Sequence, residues 1–355
     1  MIINKNREMK SIVIDNGSGT VKAGFGGDDL PRSSFKPTVG RPNINPVQVG
    51  SHLKDCYVGD EARISRSIFS TKPERAIERG QITDWNDIEK VWHHTFYNEL
   101  RINPSDFSVL LLEPIHVEAQ TRSKILEKMF EIFNTPTIYL CPASKLSLFG
   151  SGRISGLVVD VGYGITDINL ILEGMTQSAR NISCAGADIT NHLAKQLQSA
   201  NKLSYSRENL EIVNQIKETL CEVNPFSNFS NESTTNKDFI LPDGNVISIG
   251  EERFKSSEIM FETCSSIIEP LNSVLTENKD YHDSIIICGG TSKLNGLQER
   301  ISNEINKPVI IDSSGRYSAW IGGSIFSTIE SYDDLWITKE EFNEMGDSVL
   351  QKKCL

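Results

Sequence analysis

Two short stretches of the chain place an apolar run, an aspartate and two glycines in the same order. Residues 12–19 read Ile-Val-Ile-Asp-Asn-Gly-Ser-Gly, and residues 157–164 read Leu-Val-Val-Asp-Val-Gly-Tyr-Gly. Each stretch continues into a second β-like run, at 20–25 and 165–172, so each predicts a hairpin. One such motif is common, but two copies about one domain length apart indicate duplicated halves facing one cleft.

These residue types suit a polyphosphate. Glycines leave the backbone bare, so that successive N–H groups can converge on phosphate oxygens. The hydroxyl of Ser18 could add a donor, and Lys22 could reach the phosphates as a point charge. Asp15 and Asp160 suit magnesium held largely through waters. Two ordinary glycine hairpins with capping aspartates remain the alternative at this point.

A third glycine-rich turn follows a predicted strand at 284–288. Residues 289–296 read Gly-Gly-Thr-Ser-Lys-Leu-Asn-Gly, and a helix is predicted from about 297 to 305. A strand, a double glycine and a helix place a helix N-terminus beside an anion or a ribose. The pattern is neither a Walker loop nor the Rossmann fingerprint, because neither spacing of glycines occurs.

The elements that must position these turns alternate between strand and helix, which predicts an α/β fold. Strands are predicted at 108–113 and 137–141, with a helix at 118–133 between them and another helix carrying Leu146 and Phe149. Trp85, Ile88, Trp92 and Phe96 recur on one helix face, which we interpret as core packing. Residues 223–237 predict a polar surface excursion, and residues 43–53 predict an exposed loop.

Composition limits the class of protein. With 355 residues, two lobes of ordinary domain size are expected. A net charge of -11 argues against direct binding of nucleic acid or acidic membranes. Seven scattered cysteines without a C-x-x-C pair predict reduced thiols, and no apolar run predicts a signal peptide or a membrane span.

The chain resembles the actin family from about residue 11 to its end. The matching segments are 15–25 (Asp-Asn-Gly-Ser-Gly-Thr-Val-Lys-Ala-Gly-Phe), 37–42, 57–62, 92–101 (Trp-His-His-Thr-Phe-Tyr-Asn-Glu-Leu-Arg), 241–244, 317–324 (Tyr-Ser-Ala-Trp-Ile-Gly-Gly-Ser) and 353–355. The segments at 92–101 and 320–324 are the most specific. Sugar kinases and chaperone ATPases of the same duplicated fold, the remote alternative, lack them.

The resemblance implies a duplicated actin-like ATPase fold. Its two lobes together contain four subdomains and enclose a central nucleotide cleft. Lobe one would hold residues 1–150 with 317–355 packed back on it, and lobe two would hold residues 151–316. The cleft would bind ATP or ADP with Mg²⁺ or Ca²⁺, and the metal would be held through water by Asp15 and Asp160. The nucleotide-binding residues would be Gly17, Ser18, Gly19, Thr20 and Lys22 in the first loop; Gly162 and Gly164 in the second; Gly186, Lys217 and Glu218 near ribose and base; and Gly289, Gly290, Thr291, Lys293, Leu294 and Arg316 around the adenine.

The chain departs from the family at residues that actins use for nucleotide hydrolysis. Actins place a water-orienting glutamine where this chain has Ala143, and a methyl group can neither donate nor accept. The family's histidine near the γ-phosphate is replaced by Asp167. In the second loop, actins have a serine at Val161 and an aspartate at Tyr163. We therefore expect nucleotide binding with slow or lost hydrolysis, and no residue is assigned a catalytic role.

Two further departures concern assembly. The stretch between Phe261 and the strand at 284 is shorter than in actins, so the apolar plug that packs between filament strands is missing. A polar helix from Thr263 would close the gap. The sensor-loop histidine of the family becomes Arg79. The loop 43–53, which actins insert into a neighbouring protomer, keeps its length.

These features predict a divergent, actin-like cytoskeletal protein of the cytoplasm that is weak in self-assembly. The expected partners are conventional actin or actin-binding proteins. A non-filamentous, actin-related subunit of a larger complex is the alternative, which the shortened stretch supports and the retained loop opposes.

Overall fold

The computed structural model describes residues 10–42, 54–64, 74–206, 209–226, 235–262, 266–278, 281 and 284–354. The chain divides into two compact units. Unit one comprises Met1–Ile154 and Tyr317–Leu355, and unit two comprises Ser155–Arg316. Among the described residues, no helix is long and apolar enough to cross a membrane. The predicted loop at 43–53 lies outside the described residues, as do 227–234 of the predicted polar excursion.

The elements follow the chain in three stretches. The strands up to residue 154 are β1 (Ser11–Asn16), β2 (Val21–Phe25), β3 (Ser33–Phe35), β4 (Thr38–Gly40), β5 (Tyr57–Val58), β6 (Glu74–Arg75), β7 (Ile77–Glu78), β8 (Gln81–Ile82), β9 (Ser108–Glu113) and β10 (Thr137–Pro142). The helices of this stretch are α1 (Asp60–Ile64), α2 (Trp85–His93), α3 (Ala119–Glu131) and α4 (Ala143–Gly150), with a π-helix at His94–Glu99 and a 3₁₀ turn at Pro104–Asp106.

Unit two follows. Its strands are β11 (Gly156–Val161), β12 (Thr166–Leu172), β13 (Met175–Ile182), β14 (Lys237–Ile240), β15 (Val246–Ile249), β16 (Ile285–Cys288) and β17 (Val309–Ile311). Its helices are α5 (Gly186–Ser199), α6 (Asn209–Leu220), α7 (Glu252–Glu258), α8 (Ile268–Glu277) and α9 (Leu297–Ile305), with a 3₁₀ turn at Gly290–Lys293. The chain then returns to unit one through α10 (Ser318–Phe326), a 3₁₀ turn at Glu330–Leu335, β18 (Ile337–Thr338), α11 (Lys339–Met345) and α12 (Ser348–Lys353).

The central sheets of the two units share a five-strand topology, to which unit one adds β18 at one edge. In unit one the strand order is β18-β10-β9-β1-β2-β3, and in unit two it is β13-β12-β11-β16-β17. In each unit a strand pairs antiparallel with the next strand of its hairpin and parallel with a later strand on its other side. The α/β class is confirmed, and the duplication inferred from two short motifs extends to whole sheets.

The buried strands of unit one explain why the first hairpin is held firmly. All six residues of β9 are buried, as expected for a parallel strand covered on both faces. Helix α10 packs on the same sheet, and the Trp320 indole donates a hydrogen bond to the carbonyl oxygen of Val13 in β1 at 3.0 Å. The first glycine turn therefore leaves the sheet from a strand that is fixed by its neighbours.

Two glycines let α4 and α10 approach closely. A Cβ added at Gly322 would lie 1.7 Å from the carbonyl oxygen of Leu146, and one added at Gly150 would lie 2.8 Å from that of Ser318. The contact holds the middle and the end of α4, which begins directly after β10.

The predicted aromatic stripe is confirmed as core, but its helix is not uniform. Ile88, Trp92 and Phe96 are fully buried in unit one. After His93 the helix widens into the π-helix, and the N–H of Leu100 reaches the carbonyl oxygen of Thr95 at 2.9 Å. The spacing predicted one continuous helix, and a π turn preserves the buried face while inserting an extra residue.

The helix before β16 differs from its prediction. Residues 263–265 lie outside the described residues, and α8 begins at Ile268. The helix is amphipathic, with Leu271 and Val274 fully buried in the core of unit two. The expectation of a polar helix is wrong, since Ile268 and Leu275 of the same helix also pack against this core.

Candidate functional site

The first loop of unit one joins β1 to β2 and pairs two predicted site residues. Asp15 and Lys22 are directly opposite each other in the antiparallel ladder. The Lys22 ammonium lies 2.5 Å from a carboxylate oxygen of Asp15, and the side chains are only 9% and 13% exposed. The predicted phosphate-binding cation and the predicted metal-binding carboxylate thus form a buried ion pair with each other.

Ser18 in the same loop is fixed by a neighbouring turn. Its hydroxyl accepts a hydrogen bond from the Gly80 N–H at 2.9 Å, and its carbonyl oxygen accepts one from the Arg75 guanidinium at 2.5 Å. A Cβ at Gly17 would lie 2.6 Å from the carbonyl oxygen of Thr20, so the tight turn requires glycine there. Arg75 also lies 3.5 Å from the carbonyl oxygen of Gly19. The sequence analysis missed Arg75, which carries no motif.

The second loop, in unit two, brings three predicted residues together. The carbonyl oxygen of Gly162 accepts hydrogen bonds from the Gly186 N–H at 3.1 Å and from the Thr291 hydroxyl at 2.8 Å. A Cβ added at Gly186 would lie 2.6 Å from the Thr291 hydroxyl oxygen. The second loop, the start of α5 and the third glycine turn therefore meet at Gly162, although they are far apart in sequence.

Lys217 of α6 lies beside this junction. It is 4% exposed, and its ammonium donates to the carbonyl oxygen of Gly186 at 3.0 Å and to the side-chain oxygen of Asn214 at 2.8 Å. The Tyr163 ring centroid lies 5.5 Å from the same ammonium. Glu218 is joined to the group through Asn214, whose amide donates to it at 2.8 Å.

Asp160 at the end of β11 is packed against the third glycine turn. Gly289 has φ +88°, and a Cβ there would lie 2.4 Å from both a carboxylate oxygen of Asp160 and the carbonyl oxygen of Val161. Only glycine permits that approach. Across the hairpin, Asp160 is directly opposite Asp167, which is buried and accepts a hydrogen bond from the Asn181 amide at 2.6 Å.

The sequence analysis treated Asp167 only as a lost histidine, and the register adds a second carboxylate beside Asp160. Like charges directly opposite each other on adjacent strands are unfavourable unless a cation or a proton offsets them.

The third glycine turn gathers the remaining predicted residues of unit two. The N–H of Leu294, which is buried, donates to the carbonyl oxygen of Thr291 at 3.1 Å. A Cβ at Gly290 would meet only the Cβ of Arg316, at 3.8 Å, so the backbone has open space beside it. The Lys293 side chain packs over Gly315. A 3₁₀ turn begins at the second glycine, Gly290, and α9 begins at Leu297.

Ala143 is the first residue of α4 and is half-buried against the core of unit one. The strand before it pairs with β9 so that Pro142 is opposite Glu113. Burial raises the pKa of the Glu113 carboxyl, and the guanidinium of Arg122, 2.5 Å away, opposes that rise. The sequence analysis missed this pair. The methyl group of Ala143 offers no hydrogen bond to a water molecule.

The candidate cation-binding groups of each unit are few, and all of them are carboxylates. Among the described residues, no three His, Cys, Asp or Glu side chains cluster as a metal-binding group. Asp15 is the candidate cation-binding carboxylate of unit one, and Asp160, with Asp167 opposite it, is the candidate of unit two. Carboxylate oxygens in such small numbers suit Mg²⁺ or Ca²⁺ bound largely through water and phosphate rather than a closed protein cage.

Comparison with known proteins agrees with the duplicated fold and the glycine turns. The Actin family model matches residues 6–279 and 278–355. A protein of Dictyostelium discoideum named "Putative actin-29" is 38% identical over 379 aligned residues, which cover 97% of each chain. A match of this extent and identity leaves one conclusion: the chain belongs to the actin family.

Proposed function

We propose that this divergent actin-like protein binds ATP or ADP together with Mg²⁺ or Ca²⁺ through its two phosphate loops. The supporting observation is the junction at Gly162, where Gly186, Thr291 and, through Gly186, Lys217 are joined by hydrogen bonds. The resemblance to actins places all four residues at the nucleotide. Glycine hairpins without a shared binding role would not be expected to contact each other at one residue.

Each loop would contribute in a different manner. The loop at Ser18 offers backbone N–H groups around Gly17 and Gly19, and the Lys22 charge lies at its base. The loop at Gly162 offers a second set of N–H groups. A bound divalent ion would supply positive charge against the phosphates, with Asp15 and Asp160 orienting its waters.

We further propose that hydrolysis is slow or absent. Positioning an attacking water requires a group that can donate or accept a hydrogen bond, and Ala143 has none. Asp167 is committed to Asn181 and carries a carboxyl group where the family has an imidazole. The binding elements are thus retained, while the polar groups that would act on water are replaced.

Calorimetry with the purified chain tests the binding. We expect ATP and ADP to bind in the presence of Mg²⁺ and to bind at least tenfold more weakly with EDTA, as loss of about 1.4 kcal/mol or more would give. Asp160→Ala should weaken the Mg²⁺-dependent binding, whereas Asp238→Ala, at an exposed position of β14, should not. If no Mg²⁺-dependent binding occurs and Asp160→Ala changes nothing, the site assignment is wrong.

We propose a cytoskeletal role in the cytoplasm, with conventional actin or actin-binding proteins as partners. The alternative, a non-filamentous subunit of a larger complex, is favoured by the shortened stretch before β16. Mass spectrometry of proteins recovered with the tagged chain from native lysate separates the two. Conventional actin and its binding proteins should dominate in the first case, and a defined set of other subunits in the second.

A further inference from the structure

Arg75 reaches the first loop of unit one from the side of its carbonyl groups. The residue belongs to β6, which pairs antiparallel with β4, and its own carbonyl oxygen accepts a hydrogen bond from the Thr83 hydroxyl at 2.7 Å. Its guanidinium lies 2.5 Å from the carbonyl oxygen of Ser18 and 3.5 Å from that of Gly19. A residue fixed in a sheet therefore holds one charged group against two successive carbonyl groups of the loop.

Two oriented carbonyl groups also orient two N–H groups. A trans peptide is planar, and its oxygen and its hydrogen point in opposite directions. Because the carbonyl oxygens of Ser18 and Gly19 face Arg75, the N–H groups of Gly19 and Thr20 point to the other side of the loop. Both residues are partly exposed, and within the part of the chain that the structure describes neither N–H donates to a protein group. Two adjacent donors are thus available to an anion.

The type of side chain at this position matters for the loop. A guanidinium donates in a fixed fork, so one group can serve two neighbouring acceptors, whereas an ammonium presents a point charge without that fork. Its positive charge also lies at the oxygen ends of both peptide groups, which increases the attraction of their N–H ends for an anion. The Ser18 hydroxyl is held separately, by the Gly80 N–H at 2.9 Å, so the two contacts fix different parts of the loop.

We propose that Arg75 is a positioning residue of the first phosphate loop, which it holds so that the N–H groups of Gly19 and Thr20 receive the phosphate oxygens of a Mg²⁺-bound nucleoside di- or triphosphate. This inference rests on the proposed nucleotide binding. Arg75 acts from behind the loop, since its guanidinium faces the carbonyl groups, and its loss weakens binding by releasing the loop.

Titration calorimetry with Mg-ATP tests the inference. Arg75→Ala should raise the Kd about tenfold relative to the wild type, because the loop loses charged hydrogen bonds that order it. Arg75→Lys should raise the Kd about threefold, since the charge stays and the fork is lost. Arg75 is half-buried, so a small cation can enter the space that Arg75→Ala leaves. Millimolar methylguanidinium should then lower the Kd of Arg75→Ala at least threefold, and methylammonium at the same concentration should lower it less.

Arg32→Ala is the matched control, at an exposed arginine of the same unit that is paired with Asp28, and it should leave the Kd unchanged. Thermal melts identify a variant that fails to fold, and Arg75→Lys decides the question if Arg75→Ala does so. A wild-type Kd in the folded variant overturns the inference, as does a loss in Arg75→Ala that methylguanidinium leaves unrestored, which indicates a general structural role. Absence of Mg-ATP binding by the wild type overturns the proposed function and the inference together.

Discussion

At Ala143 the chain passes from the end of β10 into the first turn of α4, at the position where the actin family orients a water molecule. The residue is half-buried against a fixed helix pair, so a longer side chain there has a defined starting point. The helix start that would carry a water-positioning group is thus present, and its side chain has no hydrogen-bonding group.

Restoring that group should raise hydrolysis. With Mg-ATP, the wild-type chain should release phosphate at least 10²-fold more slowly than conventional actin, since a positioned polar group contributes on the order of 10² or more. Ala143→Gln should accelerate release by about tenfold or more in a single-turnover phosphate assay. Ala143→Met, of similar length but without the amide, should leave the rate unchanged.

A wild-type rate equal to that of conventional actin would refute this account. If Ala143→Gln binds nucleotide but gains no activity, then Asp167 or Tyr163 limits the reaction. Each of these residues differs from the family and lies on the second loop or its hairpin, so reverting each to the family's residue would identify the limiting one.

At the scale of elements, the contact between α4 and α10 is the most sensitive to volume. The Cβ of alanine at 322 would lie within 3 Å of three backbone atoms, at Leu146 and Gly150. Gly322→Ala should therefore lower the free energy of unfolding of unit one by about 3 kcal/mol. At Gly152 an added Cβ has no atom within 4 Å, but the backbone has φ +74°. Gly152→Ala should therefore lower the free energy of unfolding by only about 1 kcal/mol. Urea unfolding measures both, and equal losses would contradict the packing argument.

The π-helix creates a pH-sensitive contact in unit one. His94 is buried, with its Nε2 lying 3.1 Å from Glu99 and its Nδ1 lying 2.9 Å from the Asn98 amide, while Phe35 packs edge-on against its ring. Burial lowers the pKa of His94 below its ordinary value of 6.5. Glu99 and the carboxylate of Glu61 oppose that shift, and the ammonium of Lys54 adds to it.

The folded state therefore favours the neutral imidazole, and its stabilising contribution is present above pH 6.5 and is lost as the pH falls toward the lowered pKa. Between pH 7 and pH 5, His94→Gln should lose less thermal stability than the wild type, by on the order of 2 °C. His116→Gln, at an exposed histidine, should follow the wild-type curve. Parallel curves for all three proteins would show that His94 does not titrate in this window.

Short sequence patterns predicted most strands, helices and turns correctly, because these elements depend mainly on residues that are close together in the sequence. A turn that needs glycine at 17, 162 or 289 needs it wherever the rest of the chain lies. The bounds of α9, 297–305, followed directly from flanking signals. Contacts between residues distant in sequence, such as Arg75 with Ser18 or Tyr163 with Lys217, have no such signal, because each depends on how separate elements pack.

The dependence on packing between separate elements also explains why two helices were predicted incorrectly. The π turn after His93 keeps the three- and four-residue spacing of buried side chains and so is invisible to periodicity. In α8, Leu271 and Val274 supply a narrow buried stripe among polar neighbours, and composition alone classed the segment as polar. In both cases the error concerned how an element packs, while the alternation of strand and helix was predicted correctly.

At the scale of the molecule, duplication supplies a stable frame on which single residues can change. Both units keep the same five-strand pattern, with their glycine turns at equivalent strand ends. The differences from actins that the sequence predicts are side chains of the candidate site and a shortened connection before β16, and both lie outside the strands of the central sheets except at Val161 and Asp167. We therefore expect binding and assembly to change independently of each other.

We predict that the pure protein forms filaments poorly. A two-stranded filament needs longitudinal contacts within a strand and lateral contacts between strands. The sequence predicts that the segment at 317–324 matches actins and that the apolar plug before β16 is missing. Each 1.4 kcal/mol lost per subunit raises the critical concentration about tenfold, so a few kcal/mol would raise it by orders of magnitude. The net charge of -11 adds repulsion between subunits, which salt screens in part.

High-speed sedimentation with electron microscopy measures this, with Mg²⁺ and salt at concentrations where conventional actin assembles fully. The chain alone should remain in the supernatant. At a low ratio to conventional actin it could still enter filaments, because neighbouring subunits would supply the lateral contacts that it lacks. Inserting an actin plug segment before β16 should lower the critical concentration, whereas a glycine–serine insert of equal length should not. Abundant regular filaments of the unmodified chain would show that the plug is dispensable here and that longitudinal contacts alone carry assembly.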